Sequence, residues 1–205
     1  MPSLQFSGAL PVFWIVMRII AGKYGSRTLD APRGMSTRPS SDRLGETLFK
    51  VLAPRIEGAS FLDLYAGSGA VGLEAISRGA ALVTFAERSP AALKVLRGNL
   101  AKLGITGGFR IDCSSVAAAL KHLGKENQRF DLVFLDPPWD AAAEYAATLG
   151  ALGGSASGLL AEGALVIAEH RRKERLEECY GTHERTRLLE QGDAALSFYA
   201  ARTPL

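Results

Sequence analysis

Cysteine is almost missing from this 205-residue chain: there are two, Cys113 and Cys179. They stand too far apart for a disulfide framework or for the paired spacing of a metal site, so the expectation is two reduced thiols in a cytosolic protein. Histidine is nearly as scarce, with three residues. His122 falls in a helical pattern, His170 at a strand end and His183 in an irregular run, and each reads as a surface residue. No apolar run is long enough to span a bilayer. The nearest candidate, "ALPVFWIV" at 9–16, also lacks the basic region and cleavage site of a signal peptide. Residues 1–16 therefore read as an uncharged leader, disordered or contributed by an early start codon upstream of Met17. Internal repeats and low-complexity tracts are absent too.

What remains is an ordinary globular composition, 47% hydrophobic and 22% charged, enough for one sizeable core. The net charge is only +3, but it is unevenly spread. Between Met17 and Arg43 lie six cations (Arg18, Lys23, Arg27, Arg33, Arg38, Arg43) against Asp30 and Asp42, a local surplus of four. A basic arm on a balanced body fits a polyanionic partner, and fits a solvated leader equally well on charge alone.

Beyond the arm the pattern alternates. Ser40-Ser41-Asp42 offer caps to a helix carrying Leu44, Leu48, Val51 and Leu52, closed by Pro54 and Gly58. Strands are expected at 59–65, 81–87, 108–112, 130–136 and 163–170, with helices at 70–79, 89–104, 115–123 and 141–152 between them. "HERTRLLEQ" and "AALSFYAA", separated by Gly192-Asp193, read as a closing hairpin. Such alternation predicts an α/β fold: a mostly parallel sheet of seven strands, helices on both faces, and an antiparallel hairpin at one edge. The expected division is a leader at 1–16, a basic arm and helix at 17–57, and a cofactor-binding domain at 58–205.

Ligands of such sheets bind at the carboxyl ends of the strands, and three groups of residues fall there. In "FLDLYAGSGAVGLEA" (61–75), Gly67 and Gly69 permit a tight strand-to-helix turn and close approach of a ligand, with a helix N-terminus behind them. Asp63 lies inside the apolar strand, a costly position unless something hydrogen-bonds it. Asp63, Gly67 and Gly69 are therefore the candidate cofactor residues of this loop. Glu87, 24 positions after Asp63 and followed by Arg88, suits the hydroxyls of an unphosphorylated ribose, as in NAD or S-adenosylmethionine. The third group ends "RFDLVFLDPPWD": Asp136 closes a buried strand, Pro137 and Pro138 stiffen the turn, and Trp139 offers a stacking plane. A carboxylate beside a fixed Pro137 carbonyl is a pair of acceptors for an –NH2 group. Stacking on Trp139 would add about 1–3 kcal/mol. An aromatic amine held in this way is aimed as a nucleophile, and positioning is most of what in-line attack on a methyl sulfonium needs.

Taken together, the "DLYAGSG" loop, the strand-ending acid and "DPPW" resemble class I, S-adenosylmethionine-dependent, amino-group methyltransferases with a Rossmann-like fold. More closely, "MRIIAGKYGSRTL", "RPSSDRLGETLF", "DPPW" and "GDAALSFY" resemble the RsmD family, which methylates N2 of a guanine in 16S ribosomal RNA of the small subunit. The resemblance runs from Met17 to about Ala201. It implies action on 16S rRNA in an assembling or assembled 30S subunit; the expected protein is a cytoplasmic monomer without a metal. The resemblance places the cofactor on Asp63, Tyr65, Ala66, Gly67, Ser68, Gly69, Glu87, Arg88, Ser115 and Asp136, and the guanine on Asp136, Pro137, Pro138 and Trp139. Arg38, Ser40, Asp42 and Arg43 would lie near the entrance, and Arg18, Lys23, Arg27, Arg38 and Arg43 would meet RNA. Three positions depart from the family pattern: Trp139 replaces the usual Phe or Tyr, and Gly45 stands where a basic residue is common. Ser115, with Asp112 before it, takes the place of an adenine-binding Asp or Asn.

Other readings are an amino-group methyltransferase of adenine, DNA or a protein glutamine, a nicotinamide oxidoreductase, and an inactive RNA-binding protein. The oxidoreductase leaves the DPPW turn and the basic arm unexplained. The inactive protein is at odds with an intact loop.

Overall fold

The computed structural model describes residues 17–31, 39–138 and 141–202, with 39–42 described by backbone alone. The leader, Arg33, Arg38 and Trp139 lie outside the described residues, as do the side chains of Ser40 and Asp42.

Five apolar segments form parallel strands because each can bury both faces. They are β3 (Ser60–Leu64), β4 (Leu82–Ala86), β5 (Phe109–Asp112), β6 (Phe130–Leu135) and β7 (Leu160–Arg171). On one face, Phe61, Phe85, Phe134 and Ile167 pack beneath α1 (Pro39–Ile56), α2 (Ala70–Ser77) and α3 (Pro90–Leu103). On the other, Leu62, Leu64, Val133, Leu135 and Ala168 pack beneath α4 (Val116–Lys125) and α5 (Ala142–Leu152). The alternation of these two sets along every strand fixes the register, since a slip of one residue would exchange the faces.

The strand order is β5-β4-β3-β6-β7-β10-β9-β8, with β8 at Cys179–Tyr180, β9 at His183–Gln191 and β10 at Ala194–Ala201. Propagation reverses between β3 and β6, and the crevice at that switch point is where ligands of this architecture bind. The expected hairpin is present as β9 and β10, turned by Gly192 at φ +61°. The two-residue strand β8 adds an eighth member beyond the seven expected. Strand β7 begins three residues earlier than expected, running through Gly163 at φ +70°. Helix α3 matches its signals closely. Ser89 caps it through its side chain, Pro90 opens it, and Gly104 ends it at φ +69°. Helix α1 instead starts at Pro39, so the Ser40–Asp42 stretch forms its first turn, not its cap.

The arm does not extend the main sheet. Its strands β1 (Met17–Arg18) and β2 (Thr28–Leu29) pair only with each other, and the ribbon lies along α2. The buried Glu74 carboxylate accepts N–H groups from Ile20 (2.6 Å) and Ala21 (3.1 Å), and Arg78 donates to it at 2.5 Å. Ser77 donates to the Ala21 carbonyl and accepts from the Tyr24 N–H. At the other end Asn99, fully buried on α3, accepts the Asp30 N–H at 2.8 Å and donates to the carbonyls of Asp30 and Ser68, both at 3.0 Å.

Two of the histidines expected at the surface are buried. His170 bridges Ser197 Oγ and the Arg171 carbonyl, both at 2.9 Å, and His183 is enclosed under α5. Burial lowers the pKa of each, so they are neutral members of the core. Cys113 and Cys179 are free and exposed. No described helix is long and apolar enough to cross a membrane.

Candidate active site

Asp63, the glycine loop, Glu87, Asp112 and Asp136 all come together at the carboxyl ends of β3, β4, β5 and β6. The loop follows β3 directly. Tyr65 opens it in the left-handed region at φ +63°, an uncommon conformation for a residue with a side chain. The Tyr65 ring turns toward α5, where its hydroxyl donates to Glu144 and meets the Thr148 hydroxyl, both at 2.8 Å. Its role in the structure is therefore to hold the loop against α5.

Gly67 and Gly69 lie at φ +57° and +82°. A Cβ on Gly69 would sit 2.3 Å from Leu96 Cδ1, and one on Gly72 would sit 2.2 Å from Phe85 Cε1. The first glycine is thus needed for the turn and the next two for helix α2 to sit close on α3 and β4. Ser68 faces the arm: its hydroxyl contacts the Met17 sulfur at 3.4 Å and its carbonyl takes the Asn99 amide.

Asp63 finds the hydrogen bond that its burial demanded. Its Oδ2 accepts the Gly72 N–H at 2.9 Å, within the first turn of α2. Burial still pushes its pKa up to about 7; the Gly72 bond opposes that shift, and the charges of Asp136 and Glu87 add to it. Glu87 uses each oxygen once, accepting the Gly67 N–H at 2.8 Å and the Ser89 N–H at 2.7 Å. It shapes the loop, and each oxygen keeps a second lone pair for a ribose hydroxyl. Arg88 is exposed beside it.

At the base end, Ser115 caps α4 by accepting the Ala118 N–H, which leaves its hydroxyl proton for a ligand. Asp112 accepts the Ser114 N–H and hydroxyl, and His122 Nδ1 lies 3.5 Å away. Burial works against its charge, but these partners outweigh burial and its pKa is lowered. A carboxylate kept ionised at the end of β5 can accept an amino group.

Asp136 is half-buried just past β6, and burial pushes its pKa up to about 7. Pro137 is buried, and the Pro138 carbonyl is taken by the Ala141 N–H at 2.8 Å. Among the described residues the Pro137 carbonyl accepts no such bond, so the acceptor pair Asp136–Pro137 is open for a donor.

The cations expected to meet RNA do not form one patch. Arg18, Lys23, Arg27 and Arg43 are all exposed. Lys23, however, is tied to the far end of α2 through Ser77 and lines a 280 Å³ hollow with Ile76 and the Gly104–Gly108 turn, away from the site. Two features at the site edge escaped the sequence reading. The run Arg171-Arg172-Lys173-Glu174-Arg175 starts at the last residue of β7 and is stapled to the hairpin turn by the Arg172 N–H on the Asp193 carbonyl (2.8 Å). Its signal was plain in "HRRKER". The other is Glu169, half-buried beside Asp136, whose pKa is raised well above the usual range by burial and by that neighbour. Nothing local in "VIAEH" marks it. Among the described residues no group of three or more His, Cys, Asp or Glu could hold a metal ion.

The chain is similar to several known proteins. It is 43% identical over 123 residues to ribosomal RNA small subunit methyltransferase D of Escherichia coli (strain K12), a match covering 60% of each chain. It is 33% identical over 186 residues to YlbH of Bacillus subtilis, covering 91% of this chain and 100% of that one. The solved structure of yhhF from Escherichia coli superposes with a TM-score of 0.77 at 34% identity, covering 91% of this chain and 98% of that one. The family described as Conserved hypothetical protein 95 matches residues 17–200, which takes in the arm, the glycine loop and the closing hairpin. On that match the chain belongs to this family, the RsmD family.

Proposed function

We propose that this protein transfers a methyl group from S-adenosylmethionine to the exocyclic N2 of a guanine in small-subunit 16S rRNA. The observation that carries the reading is the open acceptor pair Asp136–Pro137, set at the switch point next to the loop of Asp63, Gly67 and Gly69. Membership in a family that includes small-subunit rRNA methyltransferases supports it.

The site fits the cofactor by its donors and acceptors. The glycine loop leaves room for backbone approach, Glu87 has lone pairs for ribose hydroxyls, and Asp112 and Ser115 stand at the base end. When bound, S-adenosylmethionine supplies an electrophilic methyl on a sulfonium. Asp136 and the Pro137 carbonyl accept the two N2 hydrogens and turn the nitrogen lone pair away from conjugation with the ring. Trp139 follows them in sequence and would stack the base. As the N2–CH3 bond forms and the sulfonium S–CH3 bond breaks, one N2 proton must leave. A carboxyl with a pKa of about 7 is matched to take it near neutral pH. The rest of the rate comes from alignment.

Rim cations supply the attraction for phosphate. Arg43 and the run 171–175 flank the carboxyl ends of the strands, and Arg18 and Arg27 lie on the arm beside them. Binding would then fall steeply with salt. A guanine in structured RNA must be splayed out to reach the Asp136 turn.

The test uses tritiated S-adenosylmethionine and 30S subunits from cells lacking this activity, with Asp136→Ala as control. The expected result is label in 16S rRNA recovered as N2-methylguanine, lost in the variant. Cofactor binding without transfer to RNA would refute the ribosomal assignment and direct attention to DNA and protein amines.

A further inference from the structure

Parallel register aligns β6 and β7 so that Phe134 faces Ile167 and Leu135 faces Ala168. Past that pair lie Glu169, still within β7, and Asp136, the first residue beyond β6. Side chains alternate along a strand, and Phe134 and Ile167 belong to the cluster under α1. Glu169 therefore projects on that same face, as does Asp63, which pairs with Phe134 across β3, and burial together with the nearby Asp136 charge raises the pKa of both. On its other side Glu169 pairs with Leu196 of β10, an apolar neighbour. The backbone at Glu169 is held firmly, since the Tyr145 hydroxyl donates to its carbonyl at 2.9 Å. Among the described residues neither the Asp136 nor the Glu169 carboxylate has a hydrogen-bond or ion-pair partner.

Two half-buried carboxylates at the ends of neighbouring strands, whose backbones run about 4.8 Å apart, repel each other and lack donors among the described residues. A ligand that presents two neighbouring donors relieves both conditions at once. Guanine does so: its N1–H and its N2 hydrogens lie side by side. Adenine presents an amino group beside a bare N1 lone pair, which a carboxylate repels.

We propose that Glu169 is a specificity-determining residue of this site, accepting the N1–H of the target guanine while Asp136 and the Pro137 carbonyl hold its N2 hydrogens. The inference rests on the guanine-N2 reading given above. It adds the reason that a turn able to hold any aromatic amine selects guanine. A site built around a ring N–H rejects an analogue that lacks it far more strongly than an apolar pocket rejects a changed methylene.

The test begins by mapping the nucleotide that the wild-type protein labels. Two 30S subunits are then reconstituted, one with guanine and one with 2-aminopurine at that nucleotide. 2-Aminopurine keeps the C2 amino group but has a bare N1. Wild-type protein should prefer guanine by about 10–100-fold in kcat/KM, the range of one hydrogen bond to a charged group. In Glu169→Gln the amide can donate to a bare N1, so that preference should collapse at least tenfold, with affinity for S-adenosylhomocysteine unchanged by calorimetry. A merely structural role for Glu169 would lower both rates together and leave the ratio alone. An unchanged ratio in a variant that still binds the cofactor product overturns the proposal. So does equal use of the two substrates by the wild type, which requires no variant to fold. If the wild type labels no guanine at all, the guanine-N2 reading fails, and the N1 assignment with it.

Discussion

Replacing Gly72 by alanine and Gly98 by alanine should move stability in opposite directions, although each adds one methyl group to a helix. Both positions gain helix propensity, up to about 1 kcal/mol relative to glycine. At Gly98, exposed on α3, a Cβ meets nothing within 4 Å, so the gain stands alone. At Gly72 the added Cβ falls 2.2 Å from Phe85 Cε1 and 2.9 Å from both Phe85 Cζ and Val83 Cγ1. Phe85 and Val83 are fully buried on β4 and cannot retreat without shifting the sheet. Overpacking of that kind costs about 1–3 kcal/mol. Any outward shift of α2 also lengthens the 2.9 Å bond from the Gly72 N–H to Asp63, and weakening a bond to a buried carboxylate costs about another 1–2 kcal/mol. The expected balance is a net loss of about 1–4 kcal/mol for Gly72→Ala and a gain of about 0.5–1 kcal/mol for Gly98→Ala. For a chain of this size 1 kcal/mol is worth about 2–4 °C in Tm. Urea unfolding followed by circular dichroism, with m-values compared, measures both. A Gly72→Ala protein as stable as wild type would refute the close packing of α2 on β4. A destabilised Gly98→Ala would refute the placement of that residue in open space.

Three other outcomes follow from the same contacts. Glu74→Ala removes the acceptor for the Ile20 and Ala21 N–H groups and for Arg78, and should cost about 2–4 kcal/mol; hydrogen exchange of Ile20 and Ala21 should accelerate, and unchanged protection would refute the clamp. The Asp136 carboxyl sits near 7 in the fold and near 4 when unfolded, so it supports folding fully below pH 4 and loses that support as pH rises through 7. Asp136→Asn should therefore raise Tm over wild type more at pH 8 than at pH 5, and an equal difference at both would count against a carboxyl raised by burial. Reversing Arg172 and Lys173 to glutamate should weaken rRNA binding and lower the salt slope by about two, leaving affinity for S-adenosylhomocysteine intact; filter binding across a salt series decides it.

Local chemistry was easily read where it acts locally. Ser89, Pro90 and Gly104 delimit α3 by capping rules alone, and the G-x-G turn after an apolar strand located the loop and the switch point. What the sequence hid was set by pairing across long separations. His170 at a strand end looks solvent-facing until β10 lays Ser197 against it. Glu74 sits in "AVGLEAIS", where a glutamate suggests a wet helix face, and only the ribbon folded back from residues 20 and 21 buries it. Glu169 becomes a neighbour of Asp136, 33 positions away, because β6 and β7 pair up to Leu135 and Ala168 just before them. Lys23 was grouped with the site by charge, yet the ribbon carries it to the other end of α2.

The clamp on the ribbon also bears on how this protein can be engineered. Asn99 reaches the ribbon backbone at Asp30 with one edge and the cofactor loop at Ser68 with the other. A core fragment lacking residues up to 31 would leave that amide, the Glu74 carboxylate and the Ser77 hydroxyl without their ribbon partners and would uncover the apolar residues packed against Ile19 and Leu29. Such a fragment should be sticky and poorly soluble, and the glycine loop would lose a support it shares with the ribbon. Chimaeras that exchange the N-terminal ribbon between relatives should therefore carry α2 and Asn99 across with it, so that the splice falls at a loop beyond α3.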